Sequence, residues 1–216
     1  MRIALSLALT CLASTANACA ELICIVDPES LDLTRIITFE GTQSTAGPGW
    51  QIDAVLVMEG ASFGERFAGQ TQMVAGDHDV IDGAASAPLT LLSGAPGAAL
   101  SLVRMNGNTL LNGYGPAGFP KRQAQGEGAI AWVFDEDQSA LSFQLRGGEG
   151  GQAQAQFLRR DGSVIDVIVI TPVGEHAIGF QRGGKERDIA AVVLTNTDPQ
   201  GVALDNLRFS RPPELG

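Results

Sequence analysis

The sequence predicts an all-β chain, an antiparallel β-sandwich preceded by a signal peptide, and three observations carry that expectation. Short apolar stretches recur about every ten to fifteen residues, with Gly-, Asn- or Pro-rich turns between them, the rhythm of sandwiches and barrels. Leu141, Phe143 and Leu145 alternate with Ser142, Gln144 and Arg146, and Ala153, Ala155 and Phe157 alternate with Gln152, Gln154 and Gln156. That period of two puts one apolar face on each strand. No window offers three turns of helical periodicity with caps. Composition agrees: 27 of 216 residues are glycine and only 6% are aromatic, which suits short strands and tight turns.

The first element is the leader. Arg2, the apolar run from Ile3 to Ala13 and the small-x-small end Ala16-Asn17-Ala18 form the layout of a secretory signal peptide over residues 1–18. Its apolar run is too short for a membrane helix, which needs about 20 residues. The mature chain is therefore expected to be secreted or periplasmic, with no transmembrane segment. Cys11 leaves with the leader. Cys19 and Cys24 either close a small disulfide ring, or cleavage after Ala20 removes Cys19, or Cys19 is lipid-modified as the first mature residue. For lipidation, Ala16 stands where lipoprotein signals usually carry leucine.

Residues 19–34 are polar around Asp27-Pro28 and read as an N-terminal arm; residues 35–211 read as the sandwich, and 212–216 as a frayed tail. Ile36-Ile37-Thr38-Phe39 is β-branched and aromatic, and Gly47-Pro48-Gly49 turns the chain. Ala54 to Met58 is a second apolar run. Leu89 to Leu92 and Leu100 to Val103 flank Gly94-Ala95-Pro96-Gly97, and Asn106-Gly107 is a hairpin signal, since both residues tolerate positive φ. Ala129 to Phe134 reads as a buried strand with Trp132 in the core. After the two alternating strands, Asp161-Gly162 turns the chain into Val164 to Ile170. Ile189 to Leu194 and Val202 to Phe209 close the series across Asn196 to Gly201.

Charge narrows the partners. A net charge of −10 repels phosphate backbones, which argues against nucleic acid. The chain also lacks a basic amphipathic helix for an anionic membrane surface. Gathered carboxylates could instead hold a cation such as Ca²⁺.

The candidate motifs are few. Gly60-Ala61-Ser62-Phe63-Gly64 is a literal G-x-S-x-G, with Asp166 and His176 in the chain order of an α/β hydrolase. The helix that should follow is a short stretch, Glu65 to Gln70, broken by Gly69, and the parallel sheet is missing. A serine hydrolase using Ser62 is the alternative reading. Only His78 and His176 are histidines, too few for a catalytic zinc. Gly76-Asp77-His78-Asp79-Val80-Ile81-Asp82-Gly83 crowds three aspartates and reads as a solvated turn or a hard-cation loop. Asp135-Glu136-Asp137-Gln138-Ser139 imitates the start of an EF-hand, but Ala140 and Arg146 stand at the glycine and glutamate places. A charged turn between Phe134 and Leu141 is the expectation. In Leu204-Asp205-Asn206-Leu207-Arg208-Phe209, alternation places Asp205 on the face of Leu207 and Phe209. An inward carboxylate needs a partner or a metal, and Glu40 is the natural partner; the other reading has Asp205 capping a turn at the sheet edge.

From Gly128 to Phe209 the chain resembles bacterial exported jelly-roll β-sandwich proteins, themselves similar to carbohydrate-binding sandwiches. Ala131-Trp132-Val133-Phe134, the Arg160-Asp161-Gly162 hairpin and the closing Leu204 to Phe209 strand carry the resemblance, and Ile37-Thr38-Phe39-Glu40-Gly41 matches the usual opening strand. The resemblance implies a jelly-roll topology and a structural Ca²⁺ between first and last strands, held here by Glu40 and Asp205. It also implies a glycan ligand. Stacking platforms need exposed aromatics, and Trp50 and Tyr114, both beside glycine and proline, are the candidates. The expected function is an exported non-catalytic module with a binding or structural role in the envelope or outside the cell.

Overall fold

The protein is an antiparallel β-sandwich of jelly-roll type, seen in a computed structural model that describes residues 21–148, 150–171 and 173–210. The leader at 1–18, the tail at 212–216 and the alternatives for Cys19 lie outside the described residues. No helix among them is long and apolar enough to cross a membrane.

The chain runs through β1 (Ile23–Val26), β2 (Arg35–Ile37), β3 (Trp50–Ile52), β4 (Leu56–Met58) and β5 (Ala61–Gly64). Four short strands follow: β6 (Arg66–Phe67), β7 (Thr71–Ala75), β8 (His78–Asp82) and β9 (Leu91–Leu92). β10 (Leu100–Met105) and β11 (Asn108–Gly113) form the expected hairpin, with Asn106 and Gly107 at φ 53 and 89. Only residues that tolerate positive φ make this turn without strain. The second half holds β12 (Ile130–Gln138), β13 (Ala140–Arg146), β14 (Ala153–Leu158), β15 (Val164–Ile170), β16 (Ala177–Arg182), β17 (Ile189–Asn196) and β18 (Ala203–Phe209).

Fourteen of these strands make two large sheets, while β6-β9 and β7-β8 form separate two-stranded ribbons. One has the order β1-β16-β13-β18-β11-β10-β3, with β2 also on β18; the other has the order β15-β14-β17-β12-β5-β4. Pairing is antiparallel in both. Successive strands from β12 to β18 cross repeatedly between the sheets, the jelly-roll habit. One edge of β18 serves two partners: β11 meets Ala203 and Leu204, while β2 meets Leu207 to Phe209.

The period-two residues meet between the sheets. Leu141, Phe143 and Leu145 from one sheet face Ala153, Ala155 and Phe157 from the other. Phe143 stacks on Phe180 at 5.1 Å, Phe157 lies 5.2 Å from Phe180, and Trp132 meets Phe143 edge-on at 5.6 Å. Such aromatic pairs contribute about 0.5–1.5 kcal/mol beyond their buried area. A second, smaller core lies on the other side of the six-stranded sheet. There Phe67, Ala85, Ile81 and Leu91 cover Ala131, Ala191, Val193 and Leu158. The segment 65–92 thus roofs a sheet face that a plain sandwich would leave to solvent.

Three expectations change. The arm at 19–34 is partly sheet: β1 pairs with β16, and Ile23 is fully buried in the main core. Leu22 to Val26 is a short apolar run beside Asp27-Pro28, long enough for one strand. Asp135, Glu136 and Asp137 are not a turn but belong to β12, whose pairing with β17 slips between Val133 and Gln138. A bulge spends its extra residues on the solvent side, which is where charges can stand. Asp137 there binds Arg160 at 2.6 Å. Asp79 is not in a solvated turn; the turn is confined to Gly76 and Asp77, and Asp79 is buried in β8.

Candidate functional site

The residues singled out from sequence fall in separate places. Trp50 begins the edge strand β3 and is 46% exposed, so its ring is open to a ligand. Tyr114 is corrected: it is 1% exposed and cannot offer a ring face. Its hydroxyl donates to the Pro48 carbonyl at 2.8 Å and its ring packs edge-on against Phe119. Burial pushes that hydroxyl up to about 12. Tyr114 is therefore a clamp between loops.

Asp205 is buried, yet it faces away from Leu207 and Phe209. Asn206 adopts φ 48 and the β13–β18 register slips between Ser142 and Gln144, so Asp205 stands opposite Gln144 on the outer side. One extra residue in a strand reverses every later side chain. Arg146, at 3.3 Å, supplies the compensating charge, and the Asn206 amide donates at 2.8 Å. Burial raises the Asp205 carboxyl, while those bonds oppose the rise. Glu40 is exposed and spends both oxygens on Thr109, at 2.6 Å from its amide and 3.2 Å from its hydroxyl. Glu40 is near enough to Asp205 to act on it electrostatically. The pair nonetheless does not fit calcium. A guanidinium occupies the Asp205 carboxylate, Glu40 is committed, and no group of three or more His, Cys, Asp or Glu among the described residues could hold a metal.

Ser62 is also corrected as a nucleophile. It sits in mid-strand in β5, opposite Val57 on β4 and Val133 on β12. A nucleophile elbow needs a strand-to-helix turn, and this is a flat ladder.

Two carboxylate sites that the sequence did not announce are better built. The first joins the roof to the sandwich. Glu65, between β5 and β6, and Asp79, on β8, are each 2% exposed. Gln72 on β7 donates to Glu65 Oε1 at 2.8 Å, and Arg66 donates to Gln72 at 3.3 Å. Asp79 accepts from the Ala129 amide, and its Oδ2 has no ordinary donor. Glu65 and Asp79 are close enough to act on each other, and a protonated Glu65 is the group beside Asp79 able to offer that oxygen a donor. Burial and the Asp79 charge push Glu65 up to about 7. Burial also raises Asp79. Gly94 lets the chain close over the pair: a Cβ there would run into the Ala98 carbonyl and the Glu65 carboxylate. This site is sealed, and its chemistry is cohesion.

The second is open. The loop from Gly115 to Glu127 is closed at its base by the Tyr114–Gln125 bridge. It is pinned by Gly115 N to Ala124 O at 2.8 Å, Gln125 Nε2 to Gly47 O at 3.2 Å, and Asn196 Nδ2 to Gly126 O at 2.8 Å. A 3₁₀ turn at Arg122–Ala124 buries Ala124 and leaves Arg122 and Gln123 exposed. Beside this turn lies a pocket of about 450 Å³ lined by Arg122, Gln123, Gln125, Glu127, Pro199 and Gln200. Glu127 is 5% exposed and its Oε2 has no hydrogen-bond partner. Burial raises its carboxyl; His78 opposes this and Asp77 adds to it. His78 is held by the Asp198 carbonyl at 2.8 Å, which requires the proton on Nε2. On the other side of Arg122 and Gln125 a second pocket, about 390 Å³, is lined by Pro48, Val103, Arg104, Met105 and Pro120. Gln125-Gly126-Glu127-Gly128 reads in sequence as one more polar turn, so no local signal marks Glu127.

No protein-family model matches the chain, and no curated protein matches it. Among solved structures it is similar to CsCBM6-3 from Clostridium stercorarium in complex with cellobiose, at 12% identity over 68% of this chain and 98% of that one, with a TM-score of 0.30. A likeness at that score carries no argument about a ligand or a site.

Proposed function

We propose that this chain is an exported, non-catalytic β-sandwich module that binds a glycan in the pocket floored by Glu127. One observation carries the reading: Glu127, a buried acid with one carboxylate oxygen lacking a hydrogen-bond partner, lines a cleft together with planar polar side chains. An unmet buried acceptor costs about 1–3 kcal/mol, more when charged, and a ligand hydroxyl removes that cost. Sugars present adjacent hydroxyls. A carboxylate accepts from two of them, while the amides of Gln123, Gln125 and Gln200 and the Arg122 guanidinium donate to ring and hydroxyl oxygens. Trp50, exposed at the start of the edge strand β3 two residues after Pro48, offers an aromatic face of the kind sugars stack on, although it lines neither pocket. Export rests on the layout of residues 1–18. Calcium has no part in this reading, because Arg146 already neutralises Asp205.

The test is a glycan array probed with the purified chain, followed by calorimetry on the best ligand. Glu127→Gln is expected to weaken binding about tenfold or more, since it replaces a charged acceptor. Binding untouched by that change, or an array with no ligand, removes the reading.

A further inference from the structure

The two pockets beside Arg122 differ in charge, and the difference selects among glycans. The pocket of about 450 Å³ contains Glu127 and suits hydroxyl donors. The pocket of about 390 Å³ is lined by Arg104 and Arg122 and by no carboxylate. Arg122 and Gln125 line both, so the two form one continuous cleft around a shared wall.

The chain's 24 acidic residues outnumber 14 basic ones, and five arginines elsewhere are paired with acids: Arg35 with Glu59, Arg146 with Asp205, Arg159 and Arg182 with Asp188, Arg160 with Asp137. What sets Arg104 and Arg122 apart from the other arginines without an ion pair is that they line one pocket together. Among the described residues, neither Arg104 nor Arg122 forms an ion pair. Arg104 only reaches Ser44, at 3.3 Å from its hydroxyl and 3.4 Å from its carbonyl, and Arg122 has no side-chain hydrogen bond. Lys121, adjacent and exposed, adds a third unpaired cation. A guanidinium presents a planar fork that fits a carboxylate with two parallel hydrogen bonds. Pro48, Val103, Met105 and Pro120 line the same pocket and give it apolar surface.

We infer that the cleft takes a carboxylated oligosaccharide, with a uronate carboxylate on Arg104 and Arg122 and the hydroxyls of a neighbouring sugar on Glu127. This rests on the glycan reading above and adds the ligand's charge class. The net negative charge of the chain opposes polyanion binding in general, so the two arginines of this cleft would make it the favoured place for a carboxylated chain.

The experiment titrates the full chain with trigalacturonate and, in parallel, with cellotriose as a neutral trisaccharide of equal length. Trigalacturonate is expected to bind at least about tenfold more tightly, and to lose affinity between 0.05 and 0.5 M salt as screening shortens to roughly 4 Å. Arg122→Ala should abolish the preference. Arg122→Lys, which keeps the charge but loses the fork, should retain part of it. Both residues lie at the surface, so an unchanged melting temperature separates lost recognition from lost folding. Equal binding of the two trisaccharides overturns the charge class and leaves the glycan reading standing. Preference for trigalacturonate that survives Arg122→Ala overturns the site. Failure of both probes together with an empty array overturns both readings.

Discussion

The segment 65–92 and the loop 115–127 both cover part of the sandwich, and each brings a carboxylate out of water. They leave it in opposite conditions. Under the roof, Glu65 and Asp79 are buried together, and burial and the Asp79 charge keep Glu65 protonated to about pH 7. At the loop, Glu127 is buried with no donor on one oxygen, near the charges of His78 and Asp77, and it lines a pocket. Burial by itself therefore does not make a carboxylate functional. A second buried carboxyl beside it makes one site an internal fastening, whereas the missing donor beside a cleft is what the proposed ligand site rests on at the other.

Three changes would break or sharpen this contrast. The largest effect is expected from Phe67→Ala, which removes the ring that anchors the roof in the second core. Deleting a buried phenylalanine ring costs about 3–5 kcal/mol. A loss below about 1 kcal/mol in urea denaturation would show that the roof is loosely attached and that the seal over Glu65 is not real.

The next effect is on pH dependence. Glu65 has a folded-state pKa of about 7 against 4.5 in the unfolded chain, so the folded protein holds the extra proton between those values. Stability is then full below pH 4.5 and falls as pH rises towards 7, by about 2–3 kcal/mol for this one group. Asp79 and Glu127, both raised, act in the same direction. Melting curves at pH 5 and pH 8 should show the drop, and Glu65→Gln, which carries a permanent donor towards Asp79, should remove most of it. A wild-type melting temperature that rises from pH 5 to pH 8 would contradict the proton held on Glu65.

The smallest effect on stability is expected from Glu127→Gln. Its carboxylate makes no bond through Oε2, so the change should move stability by less than about 1 kcal/mol while leaving the pH dependence of Glu65 intact. Destabilisation of several kcal/mol would mean that Glu127 fastens the loop as Glu65 fastens the roof, and the contrast would collapse.

Some of this was readable from the chain. The alternation at Leu141 to Arg146 and at Gln152 to Phe157 marked strands whose apolar faces do meet between the sheets, and Asn106-Gly107 marked its hairpin. Asp205 was misread because alternation assumes an unbroken ladder, and Asn206 breaks it. Tyr114 was misread because its neighbours are turn residues, while what buries it is Pro48, sixty-six positions away. Ser62 had the right spelling in the wrong backbone. Asp79 sat in a stretch whose composition said solvent, and only its packing beneath the roof took it out of water.

Strand periodicity and turn chemistry are local, so the chain alone determined an all-β sandwich and the identity of much of its inner face. Desolvation is not local. Whether a carboxylate is sealed, paired or left facing a cleft depends on what covers it: Ala129 and Gln72 for Asp79, Arg146 for Asp205, and the pinned loop with Gln200 for Glu127. A period of two assigns a side chain to a face, but the segment that closes over that face comes from elsewhere in the chain, and only the tertiary structure decides it.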